Sequence, residues 1–231
     1  MSTADSQPAL TLYTAATTNG WKIAIALEEL GIPYKTYLVN LFDNEQKQPW
    51  FLKINPNGRV PAITDHKHGD FNVFESGAIL HWLVENYDSG HKLWPQDSKH
   101  QSETMQWLMF QMAGVGPMQG QASHFVKFAP EKIPYGIKRY TDETKRLYGV
   151  LNDHLKGKEY LVNNQLTIAD IANFSWILIH GSLDIDIKEF PHLKSWLERI
   201  LARPAVKRGL CVPVKHEFLD AAMQKAGLPT L

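Results

Sequence analysis

The stretch from Leu10 to Leu41 constrains the fold of this chain more than any other. Leu10–Tyr13 is a short β-prone run, and Ile23, Ala26, Leu27 and Leu30 then recur at i, i+3, i+4 and i+7, one apolar face of a helix over roughly 19–30. Gly31 followed by Pro33 stops that helix. "YKTYLVNL", Tyr34 to Leu41, carries the β-branched and aromatic residues of a second strand. Two strands joined through a helix close as a crossover, so they are expected to run parallel.

The pattern continues in the same style. "EQKQPWFLKI" predicts a short, irregular helix, "NPNGRVPAITD" a turn and a strand, and "DHKHGD" a turn feeding the strand "FNVFES". From Gly77, the residues Ile79, Trp82, Leu83, Asn86 and Tyr87 keep helical spacing. Residues 8–88 therefore read β-α-β-α-β-β-α, an α+β domain, and 89–99 read as a linker of turn residues. Helical signals fill 100–225, an all-α domain: "SETMQWLMFQMAG", the series Ile137, Tyr140, Thr144, Leu147, Leu151 and Leu155, and a helix opened by Pro191 and closed before Pro204. Thr167 and Asp170 form a capping pair at another helix start, with Leu166 and Ile171 as its apolar staple. The glycines of "MAGVGPMQGQ" follow no strand and precede no Lys-Ser/Thr, so they predict a loosened helix rather than a phosphate loop.

Composition removes several classes of function. With 24 basic against 24 acidic residues, no bulk field draws the chain to nucleic acid or an anionic membrane. No apolar run approaches the ~20 residues of a membrane span, and Met1–Ala9 lacks the basic start and apolar centre of a signal peptide, so a cytoplasmic location is expected. The one cysteine, Cys211, has no partner for an internal disulfide or a C-x-x-C redox pair and reads as a passive thiol. Any thiol chemistry must therefore use a sulfur from outside.

Candidate sites are sparse. His66, His68 and two aspartates crowd "DHKHGD" but lack structural zinc spacing, so no metal is expected there. "FESGA" is not a nucleophile elbow, since the flanking pattern G-x-S-x-G is missing. Its other reading is more useful: a helix N-terminus offers free amides and a positive dipole end to a carboxylate, Ser76 adds a hydroxyl, and Glu75 suits an ammonium. Together they would read an amino-acid head carrying both charges; Ser76 as a plain cap and Glu75 as a solvated charge explain the same residues. In "GRVPAI", a cis Val60–Pro61 bond would turn the Val60 backbone towards a peptide-like ligand, whereas a trans bond needs no ligand at all.

"TNGWKIAIALEELGIPY", "NPNGRVPAITD", "FESGAILHWL" and "LTIADIA", in this order, resemble the cytosolic glutathione transferase superfamily from about Leu10 to Pro213. "TTNGWKI", "GPMQGQASHF" and "IPYGIKRYTDETKRLYGVL" are most similar to its nu-class disulfide-bond oxidoreductases and the related fungal nitrogen-regulator branch. The resemblance implies a thioredoxin-like domain followed by a helical one, a homodimer, and no tightly held cofactor, with glutathione or its disulfide as substrate. It implies that Asn19 and Thr17, in a T-x-N motif, approach the glutathione sulfur and are the catalytic pair. Thr18 departs from the proline usual between them. Gln46 would touch the glycyl end, Val60 would pair with the cysteinyl backbone beside Pro61, and Glu75 and Ser76 would hold the γ-glutamyl group. Arg139 would line the open side of the site, its alternative being an exposed helix charge. Tyr13 precedes the motif and belongs to the strand. Met112, Met118, His124 and Phe125 are candidates to face a second substrate. The expected activity is glutathione-dependent disulfide reduction, with peroxidase or conjugating side activity; a glutathione-binding regulatory module and a conventional conjugating transferase are the alternatives.

Overall fold

The computed structural model describes residues 8–215, 217–225 and 227–228. Residues 1–7, most of the segment read for leader composition, lie outside the described residues. The first domain contains β1 (Leu10–Thr14), α1 (Thr18–Leu30), β2 (Tyr34–Leu38), a 3-10 turn (Glu45–Lys47), α2 (Pro49–Leu52), β3 (Ala62–Asp65), β4 (Phe71–Phe74) and α3 (Ser76–Tyr87). Its sheet has the order β2-β1-β3-β4. β1 and β2 run parallel with Leu10 facing Tyr34, and β3 and β4 are antiparallel additions, Leu12 opposite Ile63 and Ile63 opposite Val73. The thioredoxin-like order expected from sequence is the one observed. β2 stops at Leu38, short of Leu41: Val39 N–H makes the last bond to β1, at Thr14 O (2.8 Å), and Asn40 N–H turns instead to the Glu45 carboxylate (2.7 Å).

Helices make up the second part. α4 (Ser98–Phe110) passes through a π turn (Gln111–Val115), the loosening that the glycines predicted, into α5 (Gly116–Ser123) and a second π turn (His124–Phe128) that holds no glycine. α6 (Pro134–His154), α7 (Ile168–Ile177), α8 (Pro191–Leu201), α9 (Pro204–Leu210) and α10 (Glu217–Lys225) follow. Pro204 both follows α8 and opens α9, where its missing N–H costs no helical bond. Cys211 lies just past α9, half-buried.

The reading of α1 as a one-faced helix needs correction. Every residue from Gly20 to Leu27 is buried, because α3 and β1 cover one side and α7 and α9 the other. A helix covered on both sides must be apolar nearly all round. The packing against α9 is close enough that a Cβ at Gly209 would lie 2.7 Å from the Ile25 backbone. Arg203 clamps the same contact with two bonds to Glu29 (2.6 and 2.8 Å), and Arg208 reaches Glu28 (2.7 Å). α1 is thus the shared core of both parts, and its C-terminal half is clamped to α9.

Candidate active site

The junction after β1 is a cap before it is anything else. Thr17, in extended backbone, places its Oγ1 to accept from Gly20 N–H (3.1 Å), satisfying one of the free amides at the start of α1. Thr18 is the first helical residue, a position where proline and threonine are both admissible, so its departure from the usual T-P-N leaves the cap intact. Gly20 is required by contact: a Cβ there would sit 2.3 Å from Thr14 Oγ1 and 2.6 Å from Ala15 O. This close approach aims the side chains of Thr17 and Asn19, both half-buried, along the mouth of the junction.

Asn19 is held by a residue 157 positions away. Its Oδ1 accepts from the indole Nε1–H of Trp176 on α7 at 3.0 Å. An indole nitrogen only donates, so the bond assigns the amide orientation: the oxygen faces α7 and the NH2 faces away from it. Trp176 is itself anchored, since Gln119 donates from Nε2 to its carbonyl (2.8 Å) and Tyr148 donates its hydroxyl to Gln119 (3.0 Å).

Beside Asn19 opens a cleft of ≈ 440 Å³ lined by Thr17, Asn19, Leu41, Gln46, Asn55, Asn57, Arg59, Val60, Pro61, Glu75, Ser76 and Met112. The turn that carries Val60 is built from its own side chains: Asn55 Nδ2 donates to Arg59 O (2.7 Å) and Asn57 N–H to Asn55 Oδ1 (2.9 Å). The Val60–Pro61 bond, open between two isomers in the sequence, is cis. The Val60 backbone N–H and C=O have no partner among the described residues. Across the cleft, Gln46 Oε1 is buried without a partner, an acceptor whose desolvation nothing in the described chain offsets.

The far end of the cleft is the start of α3. Glu75 is exposed and sits at φ +68°, in the left-handed region that non-glycine residues rarely occupy. Asn57 Nδ2 approaches its carboxylate at 3.4 Å. Ser76 is buried and accepts from the ammonium of Lys22, at 3.2 Å. Lys22 is fully buried, and burial pulls its pKa down to about 7 against the smaller opposing pull of Glu75.

Thr17, Asn19, Gln46, Val60, Pro61, Glu75 and Ser76, singled out in the sequence, therefore converge on one cleft. Arg139 is not brought to its lining; it stands exposed on α6. Of the candidates for a second substrate, Met112 reaches the cleft, Met118 packs against the core, and Phe125 stacks on Tyr140 with centroids 5.5 Å apart, beside an exposed His124. Tyr13 lies in β1 with its ring among Tyr37, Trp50 and Phe51. The histidines of "DHKHGD" are spent locally, His66 on Thr11 (2.8 Å) and Asp70 (2.5 Å), His68 on Asp65 (2.9 Å).

Residues 18–86 match the family model described as the glutathione S-transferase N-terminal domain, and residues 124–204 match that of the glutathione S-transferase C-terminal domain. The chain belongs to the glutathione S-transferase family. It is 43% identical over 203 residues to the disulfide-bond oxidoreductase YfcG of Escherichia coli, covering 86% of this chain and 93% of that one. A glutathione transferase homolog from Lodderomyces elongisporus, solved with two GSH per subunit, is 44% identical with a TM-score of 0.85, over 88% of this chain and 98% of that one. Ure2p in complex with glutathione is 38% identical with a TM-score of 0.85, over 89% of this chain and 99% of that one. The branch named from the sequence, oxidoreductases beside the nitrogen regulator, is the one these relatives occupy.

Within this glutathione S-transferase fold, sequence reasoning passed over Asn57, Arg59, Lys22 and Trp176. The first two lie in "NPNGR", read only as a turn. Lys22 did leave a signal: it is a charge set directly between Trp21 and Ile23 at the head of an apolar run. Trp176 left none, because its partner is supplied by the fold.

Proposed function

We propose that this transferase-family chain is a glutathione-dependent disulfide oxidoreductase whose nucleophile is the glutathione thiolate, stabilised by Asn19. The observation that carries the reading is the Trp176–Asn19 bond, which leaves the Asn19 NH2 as a fixed donor beside the cleft, in a chain whose only cysteine lies elsewhere. A thiol with pKa near 8.5 is only a few per cent ionised at pH 7. Lowering it by ~2 units needs about 2.7 kcal/mol of preferential thiolate stabilisation. One charge-assisted bond from the Asn19 amide supplies about 1.5–3 kcal/mol, and the N-terminus of α1 adds about 0.3–1. Thr17, whose Oγ1 already accepts from Gly20, keeps its hydroxyl hydrogen for the same sulfur.

The remaining contacts follow from the donors and acceptors left open. Val60 pairs through its backbone with the cysteinyl residue beside Pro61, Gln46 meets the glycyl end, and Glu75 and Ser76 take the ammonium and carboxylate of the γ-glutamyl group. Arg139, exposed on α6 and outside the cleft lining, would stand on the open side of the site. In the reaction the thiolate attacks one sulfur of a disulfide, forming a mixed disulfide and expelling the other half as a thiolate that takes up a proton. A second glutathione thiolate then displaces the remaining half, giving glutathione disulfide and a second thiol. Relatives solved with two GSH per subunit support a cleft that seats both reductants.

The working unit is proposed as a homodimer in a reducing, cytoplasmic setting, with residues 8–88 carrying the glutathione site and 100–225 the helical domain, joined by 89–99, whose last two residues already belong to α4. The apolar groove formed by Ala78, Met105, Leu108 and Met109 supports a second copy packing there. Turnover of glutathione with hydroxyethyl disulfide tests the activity. Asn19→Ala is expected to lower kcat/KM at pH 7 by about ten- to hundredfold and to raise the bound thiol pKa by about 1–2 units. Full activity with an unchanged thiol pKa would sink the mechanism, and wild-type rates no better than buffer would favour a regulatory module instead.

A further inference from the structure

Lys22 lies beneath the cleft rather than in it. Its Nζ donates to Gln111 Oε1 (2.5 Å) and Ser76 Oγ (3.2 Å), and its remaining contact is the Met112 thioether at 3.7 Å. The Ser76 hydroxyl hydrogen is also directed at that thioether, at 3.8 Å. A thioether is a weak acceptor. Among the described residues few charges face Lys22. Glu75, from the start of α3, faces Lys22 without forming an ion pair with it, and the π turn after α4 contributes the neutral Gln111 and Met112. The Asp170 carboxylate of α7 is spent on Leu161, Thr167 and Trp196. A buried ammonium without a counterion is costly, and here the N-terminus of the twelve-residue helix α3 adds positive potential beside it.

We infer that Lys22 is a positioning residue for the carboxylate end of glutathione: its ammonium fixes Ser76 as a donor into the cleft and supplies the positive charge that the ligand's α-carboxylate meets. With the Ser76 oxygen accepting from Lys22, its hydrogen is free to leave the thioether for a carboxylate oxygen. Glu75, one residue away on the exposed side, takes the ammonium, so the two charges of the amino-acid head are read by two opposite charges at different depths. This rests on the glutathione reading above. It adds a linkage: the anionic ligand favours the charged form of Lys22, and the charged form favours the ligand.

Binding of S-methylglutathione by titration calorimetry, from pH 6.5 to 8.5 in buffers of different ionisation enthalpy, tests the assignment without a titrating thiol. The wild type is expected to bind about tenfold or more weakly at pH 8.5 than at pH 6.5 and to take up close to one proton per site near pH 8. Lys22→Gln keeps a donor to Ser76 but no charge; it should bind about tenfold more weakly at pH 6.5 with the lysine-dependent slope and proton uptake gone. Lys22→Met should behave as Lys22→Gln or bind more weakly still. A wild type that binds with no slope or proton uptake beyond that of Lys22→Gln overturns the role of Lys22, as does a variant that weakens binding equally at every pH. A wild type that binds no S-methylglutathione at all overturns the glutathione reading, and this assignment with it.

Discussion

Two fully buried charges, Asp170 and Lys22, are handled in opposite ways. Asp170, in the first turn of α7, accepts from Leu161 N–H (2.9 Å), Trp196 Nε1–H (2.9 Å), and the Thr167 N–H and hydroxyl (2.9 and 2.8 Å). Burial still raises its pKa, but donors around both oxygens hold that rise back. Lys22 has one strong acceptor, one hydroxyl and a thioether. The difference teaches how to tell scaffold from site. A charge whose partners are all supplied by the chain organises the fold, and a charge with a partner missing at the edge of a cleft is prepared for something that arrives.

The contrast can be broken most forcefully at Asp170. Asp170→Ala would strand three N–H donors in the core, and urea unfolding should show a loss of about 3–5 kcal/mol. A loss below about 1 kcal/mol would mean that the network is not holding the α7 start.

Lys22 should give a smaller effect with a definite sign. Below pH 7 it is charged both folded and unfolded, so the burial cost is fully present. Between about 7 and its unfolded value of 10.5, the unfolded chain binds a proton that the folded protein does not, so stability rises with pH in that window. Raising the pH from 7 to 8.5 should stabilise the ligand-free protein by about 1–2 kcal/mol relative to Lys22→Met, whose curve lacks this contribution. Saturating S-methylglutathione should flatten the difference, and chemical denaturation at several pH values reads both.

Trp176→Phe sharpens the contrast at the smallest scale. It removes the N–H that orients Asn19 while keeping an aromatic ring, so kcat/KM for disulfide reduction should fall about three- to tenfold, chiefly through the bound thiol pKa. In an Asn19→Ala background the same change should do almost nothing, because its effect passes through the amide. Additive losses in the double variant would show that Trp176 acts by packing alone.

Legibility from sequence divided along physical lines. The alternation of strand and helix signals, the Gly31–Pro33 stop and the Thr167–Asp170 cap are interactions between near neighbours, so their residue types and spacing reveal them. The cleft residues Thr17, Val60, Glu75 and Ser76 were legible because each sits at an element boundary where free backbone groups must be satisfied. Arg139 was not legible in that way: helical spacing places it on α6, and its exposed side chain lies outside the cleft lining.

What the sequence determined alone was therefore the order of elements, the caps and stops between them, and the absence of an internal redox cysteine pair, with the T-x-N junction as the expected place for chemistry. Only the tertiary structure decided that α1 is covered on both sides, that Trp176 turns the Asn19 amide outward, and that Lys22 lies under Ser76 with no ion pair among the described residues. These depend on which surfaces meet across sequence separations of 54 to 157 positions, as the Lys22–Ser76 and Asn19–Trp176 bonds do. Local chemistry can propose a donor, but the acceptor across the domain boundary is chosen by packing.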